Sequence, residues 1–335
     1  MKLESMIEGL PRITLANLPT PLEEMPRLSK LLGGPKIWIK RDDLTGLAFG
    51  GNKVRKLEFE MADAVKQGAD VIVAGGVIQS NHALATTVAA RKLGMKVVLL
   101  LRGQQPKEYT GNLLLDHIFG AEIRFIQAEW HESVKVTRNV VEELKGKGYT
   151  PYVAPFSSPL GSVGYVNTVL ELQKQAKKMN MRINCLIHAA GSGGTQAGIV
   201  VGNKALETGI DVIGIATESD GDWLLNTTVK IANECARLLD LGLTVTKDDV
   251  KILYDYVGKG YGILDEKSKE TIRLVARTGG IMLDPVYTSK AMAGLMDLVK
   301  KGHFDDYGNI VFLHTGGIPA ISAYRDKLKS LGRLP

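Results

Sequence analysis

Lys53 follows Gly50-Gly51-Asn52 and precedes Val54-Arg55-Lys56-Leu57-Glu58, an odd setting for a solubility charge. Asn52 is a good N-cap, and Val54, Leu57, Met61, Ala62 and Val65 then recur at helical spacing. Lys53 would open that helix, where the N-terminal partial charge disfavours an ammonium and lowers its pKa. A lysine with a free amine suits Schiff-base chemistry, whereas a first-turn surface lysine does none. This stretch alone leaves both readings open.

A second segment, Gly191-Ser192-Gly193-Gly194-Thr195, follows an apolar run and precedes a helical pattern from Gln196. Backbone N–H groups gathered at such a turn hold phosphate. The P-loop pattern is absent, and Gln196 breaks the dinucleotide spacing. Glu218 after the next strand still imitates a ribose-binding acid, which keeps a dinucleotide-dependent oxidoreductase as a reading of another class. Gln79-Ser80-Asn81-His82 also lies between strand and helix. It reads either as a helix cap or as a pocket for a substrate carboxylate, with Ser80 and His82 near the reacting centre. Tyr256, Tyr261 and Tyr287 are core rings or partners for a flat cofactor, and Tyr261, set between glycines, is the least core-like. His314-Thr315-Gly316-Gly317 closes the last strand, where sites gather in open α/β sheets. Lysine, phosphate turn and aromatic ring together suit pyridoxal 5'-phosphate.

The elements that position these residues alternate. Strands are expected over 36–40, 71–74, 96–101, 121–126, 151–153, 184–189, 211–216 and 310–314, with helices between most of them. Alternation of this kind predicts an α/β fold of two open, twisted, mostly parallel sheets with helices on both faces. The length of 335 residues favours two domains, with residues 155–164, rich in Pro, Ser and Gly, as the linker. The net charge of +6 comes from interspersed charges without a basic aromatic run, so no nucleic-acid partner is expected. The apolar runs are too short for a bilayer, no secretory pattern opens the chain, and a cytoplasmic protein is expected. Cys185 and Cys235 form no CxxC, so neither a disulfide framework nor a metal site is expected.

Taken in order, Leu18-Pro19-Thr20-Pro21-Leu22, Ile39-Lys40-Arg41-Asp42-Asp43, the Lys53 segment, Gln79-Ser80-Asn81-His82, Asp284-Pro285-Val286-Tyr287 and His314-Thr315-Gly316-Gly317 resemble one family almost end to end. It is the D-cysteine desulfhydrase and 1-aminocyclopropane-1-carboxylate (ACC) deaminase family of fold-type II, tryptophan-synthase-β-like enzymes. The resemblance implies a cofactor cleft between a larger domain, residues 1–53 and 162–335, and a smaller inserted one, 54–161. It implies that Lys53 holds the cofactor and moves the Cα proton, and that Asn81 bonds the ring oxygen. Gln79, Ser80, Asn81 and His82 would hold the substrate. Gly191, Ser192, Gly193, Gly194 and Thr195 would cradle the phosphate, Tyr287 would stack on the ring and Tyr261 would stand near the substrate. A homodimer is a further implication.

One departure separates the branches. Deaminases of the family carry glutamate at Thr288 and leucine at Thr315. A carboxylate beside the pyridine nitrogen strengthens the electron sink that ring opening needs, whereas a threonine gives only a neutral hydrogen bond. The chain therefore looks like a lyase acting on a small amino acid by β-elimination, with D-cysteine as the expected substrate. L-cysteate, with sulfite leaving, is the first alternative, because residues 258–262 and 301–304 resemble that branch too. ACC deaminase is the second.

Overall fold

The computed structural model describes residues 2–127, 130–218 and 221–329; the rest of the expected domain ranges lies outside them. Among the described residues, ten strands form two sheets. They are β1 (Leu22–Glu24), β2 (Lys36–Lys40), β3 (Val71–Val77), β4 (Lys96–Arg102), β5 (Glu122–Ile126), β6 (Pro151–Ala154), β7 (Cys185–Ala190), β8 (Asp211–Ala216), β9 (Lys251–Leu253) and β10 (Asn309–Leu313). The larger sheet runs β1-β2-β10-β7-β8-β9 and the smaller β5-β4-β3-β6. Every pairing is parallel except β1 with β2.

The inner strands β3, β4, β7, β8 and β10 are buried on both faces, as parallel strands are when crossover helices cover them. In β7, Leu186 joins one core with the helices Pro159–Lys178, Gly194–Ala205 and Gly221–Leu238. Its neighbours Cys185 and Ile187 point the other way, into a core with the helices Glu266–Gly279 and Thr288–Lys300. In the smaller sheet Ile72 and Ala74 face one core, and Val71 and Val73 the opposite one. A fully buried Leu, Ile or Phe contributes about 1.5–3 kcal/mol.

Two local expectations change. The stretch expected as a linker, 155–164, is loop only up to Ser158, and the helix Pro159–Lys178 starts inside it. Ser158 accepts a hydrogen bond from the Gly161 N–H at 2.9 Å and Pro159 takes the first turn, so the composition is that of a helix start. Asn52 is not an N-cap: it is the first residue of the helix Asn52–Lys66, and Gly51 precedes it with φ 122°.

Beneath that helix lies a cluster of buried charges. Arg55 donates to Asp42 at 2.7 and 2.8 Å and to Glu171 at 2.9 Å, while Lys40 pairs with Glu171. Tyr165 donates to Asp42 at 2.7 Å. The two carboxylates hold Arg55 above the ordinary guanidinium range against the cost of its burial, so it stays charged. Removing one partner of such a set leaves an uncompensated buried charge, at a cost of about 3–5 kcal/mol.

Candidate active site

A cavity of about 630 Å³ opens at the C-terminal ends of the parallel strands, a volume suited to a small cofactor with its substrate. Lys53, Ser80, Asn81, His82, Gly191, Ser192, Gly193, Thr195, Tyr261, Tyr287 and Thr315 all line it. Gln79, Gly194 and Thr288 do not.

Lys53 is delivered by a turn that only glycine can make. A Cβ on Gly50 would stand 1.8 Å from the Asp43 carbonyl oxygen, and one on Gly51 would stand 2.9 Å from that of Thr315. Gly51 N–H donates to Asp42 O at 2.8 Å, and Asn52 N–H donates to Thr315 O at 3.0 Å, docking the helix start on the loop after β10. Lys53 Nζ makes no hydrogen bond to the protein among the described residues. The lysine faces the cavity, and burial lowers its pKa to about 8 while Glu60 partly opposes the shift. The sequence expectation had the right direction but credited the helix dipole, whereas desolvation is the main cause.

The turn after β7 reaches the helix Gly194–Ala205 through Gly193, whose φ is 82°. Ser157 Oγ donates to Ser192 Oγ at 2.7 Å and accepts from Gly194 N–H at 3.3 Å. Asn52 Nδ2 donates to Thr195 Oγ1 at 3.0 Å, tying the lysine segment to this turn. Lys56, one helical turn beyond Lys53, is buried with its Nζ 3.1 Å from where a Cβ on Gly194 would sit. A second lysine amine therefore stands behind the turn. Burial and the Lys53 charge push its pKa well down, so an anion on the turn would restore its charge.

The loop before the helix Asn81–Lys92 serves two purposes. Ser80 caps the helix by accepting from Ala83 N–H at 3.2 Å, and it also lines the cavity. His82 is buried against Phe156, its ring centroid 5.1 Å away, with Nε2 3.4 Å from Ala154 O. Burial and the nearby Lys53 lower its pKa to about 3, so it is a neutral imidazole and gives a carboxylate no positive charge. Gln79 turns away: its Nε2 donates to Thr110 O and its Oε1 accepts from Asn112 N–H, both at 2.9 Å.

Tyr261 and Tyr287 meet edge to face, centroids 5.9 Å apart, with hydroxyl oxygens at 2.5 Å. Burial raises both hydroxyls, Tyr261 to about 12, so both stay protonated at neutral pH. Lys290 holds the Tyr261 loop by donating to Val257 O at 2.7 Å and Gly260 O at 2.6 Å. Tyr256 does not line the cavity; it packs against the core and donates to Asp297 at 2.8 Å.

Thr288 does not line the cavity. Its hydroxyl donates to Asp284 Oδ1 at 2.7 Å and accepts from Asp284 N–H at 2.7 Å. The Asp284 carboxylate is taken up by this threonine and by the N–H groups of Val286, Tyr287 and Thr288. Thr315 does line the cavity, and its hydroxyl has no protein partner among the described residues.

An amine without a hydrogen-bond partner among the described residues, a glycine turn backed by a second lysine, and an aromatic pair fit pyridoxal phosphate. The chain matches the family of pyridoxal-phosphate dependent enzymes over residues 13–316 and belongs to it. It is 40% identical over 334 residues to the "Putative 1-aminocyclopropane-1-carboxylate deaminase" of Pyrococcus abyssi, covering 98% of each chain. It is equally 40% identical over 321 residues to the "D-cysteine desulfhydrase" of Salmonella newport, covering 94% of this chain and 96% of that one. A solved structure described as an "ACC deaminase homologue" superposes with a TM-score of 0.91 at 40% identity, covering 99% of both chains. The fold alone is shared with threonine deaminase isoform 2 from Solanum lycopersicum, TM-score 0.69 at 18% identity, covering 99% of this chain and 88% of that one. The protein is thus a pyridoxal-phosphate-dependent lyase of the ACC deaminase and D-cysteine desulfhydrase group, which displaces the oxidoreductase reading.

Lys56, Asn112, Lys290 and the Arg55 cluster escaped sequence reading. Only Lys56 carried a local signal: it stands at i+3 from Lys53, on the same helix face.

Proposed function

We propose that the protein eliminates hydrogen sulfide from D-cysteine, giving pyruvate and ammonia after addition of water. The observation that carries this choice within the group is Thr315: a neutral hydroxyl, without a protein partner among the described residues, on the cavity wall. When bound, pyridoxal phosphate supplies the electron sink for charge developing at Cα. A hydroxyl facing the ring nitrogen leaves that sink weaker than a carboxylate would, which suffices when a leaving group on Cβ can accept the electron pair. At Thr288, where the deaminases carry their carboxylate, this chain has a neutral hydroxyl bonded to Asp284 and turned from the cavity, so no acid from that position reaches the ring nitrogen.

The remaining roles belong to the chain. Lys53 Nζ holds the cofactor and then, as a free amine with lowered pKa, takes the Cα proton. Ser80 and Asn81 hold the substrate carboxylate and the ring oxygen. Of the two tyrosine protons, one is spent in the Tyr261–Tyr287 bond and the other can be given to sulfur as the C–S bond breaks. Gly191, Ser192, Gly193, Gly194 and Thr195 bind the phosphate in front of Lys56. The inserted unit 54–161 is proposed as the smaller domain, and the assembly as a cytoplasmic homodimer.

Arg102 at the cavity wall favours a second reading, in which the substrate carries a second anion as L-cysteate does. Release of sulfide from D-cysteine, sulfite from L-cysteate and 2-oxobutanoate from ACC should be compared under one set of conditions. The proposal expects sulfide to dominate; no sulfide from D-cysteine would end it.

A further inference from the structure

Asn81 reaches the cavity, but which end of its amide does so is decided outside the cavity. Asn112, the second residue of the helix Gly111–Ile118, is fully buried and is not a lining residue. Its Nδ2 donates to the Gln79 carbonyl at 2.9 Å and to Asn81 Oδ1 at 2.7 Å. A backbone carbonyl only accepts, so the atom of Asn112 facing it must be the nitrogen. The same nitrogen spends its other proton on Asn81, so the Asn81 atom turned towards Asn112 must be the oxygen. The Asn81 Nδ2, with two protons, is then the end left for the cavity. Gln79 completes the brace, since its side chain ties Asn112 N–H to Thr110 O.

We infer that Asn112 is a positioning residue: it locks the Asn81 amide so that a donor, not an acceptor, faces the ring oxygen of the bound cofactor. This rests on the pyridoxal phosphate reading of the site, and it gives Gln79 a task other than the substrate contact expected of it. Without the lock, the Asn81 amide can rotate by half a turn and present its oxygen to a negatively charged ring oxygen. A donor there matters most when the proton shared between the ring oxygen and the Lys53-linked nitrogen has left, because the oxygen then carries its full charge. The donor therefore favours loss of that proton, and removing it raises the pH at which the proton is lost.

The test is a pH titration of the visible absorbance of the cofactor-loaded protein, with no substrate present. Asn112→Leu and Asn81→Ala should each move the midpoint upward by about one pH unit or more. The double variant should move it no further than Asn81→Ala alone, because both changes remove one interaction. Asn112→Ser, which keeps a short donor for the Gln79 carbonyl, replaces Asn112→Leu if that variant does not fold. A folded Asn112 variant that loads cofactor and titrates like the wild type overturns the inference. So does an additive double variant, or a folded Asn112 variant that cannot load cofactor while Asn81→Ala can. If the wild-type protein itself shows no cofactor band, it is the pyridoxal phosphate reading that fails.

Discussion

A lysine that must meet an aldehyde has to spend time without its proton, and Lys53 is built for that. Burial lowers its pKa from 10.5 to about 8. At pH 7 about one Lys53 in ten is then a free amine, against about three in ten thousand for an ordinary lysine, a gain of roughly 300-fold. Trace labelling of the cofactor-free protein with acetic anhydride, read lysine by lysine through mass spectrometry, measures this directly. The cavity-facing Nζ has no hydrogen bond to a described residue to break before it reacts. Its labelling rate should climb about tenfold per pH unit, bend near pH 8 and then stay flat, while exposed lysines keep rising towards pH 10. A Lys53 that titrates with the exposed lysines would refute the reasoning, because desolvation in the cavity would then be too weak to prepare the amine.

Lys56→Met should weaken binding of pyridoxal phosphate by about ten- to a hundredfold, the worth of a charge-assisted hydrogen bond. It should leave binding of unphosphorylated pyridoxal nearly unchanged; equal loss for both ligands would separate Lys56 from the phosphate. Asp116 is a fully buried acid near Thr87 whose pKa burial raises from 3.8 to about 7. It is neutral in the fold up to about pH 7 but ionised in the unfolded chain above about pH 4, so its contribution to stability falls as pH rises between those values. Asp116→Asn should therefore gain nothing near pH 4 and up to about 4 kcal/mol at pH 7, read from urea denaturation at several pH values. A gain independent of pH would contradict this.

How much of the site could be read depends on how local each signal is. Lys53 was legible because glycines, a helical apolar period and the lysine stand within a few residues, and the phosphate turn because its glycines are contiguous. Strands such as β7 were legible as apolar runs. The three-residue strands β1 and β9 were missed, since such short segments show no period of two. The contacts that orient the site are distant in sequence: Asn112 to Asn81 spans 31 residues, Asn52 to Thr195 spans 143 and Arg55 to Glu171 spans 116. No spacing rule reaches that far. Gln79 and Thr288 show the complementary failure. Each stands inside a segment that lines the cavity at its neighbours, yet its side chain turns to the scaffold. Asn52 and Ser158 show how a helix start can be misread from composition when the cap is a glycine or when the serine and proline look like a linker.

Lys53, and not the buried Lys56 one turn away, is expected to carry the cofactor. Loading the protein with pyridoxal phosphate, reducing with borohydride and mapping the modified peptide decides between them. One pyridoxyl group is expected, on Lys53, with a visible band that Lys53→Ala abolishes. A label on Lys56, or a protein that stays colourless with saturating cofactor, would contradict it.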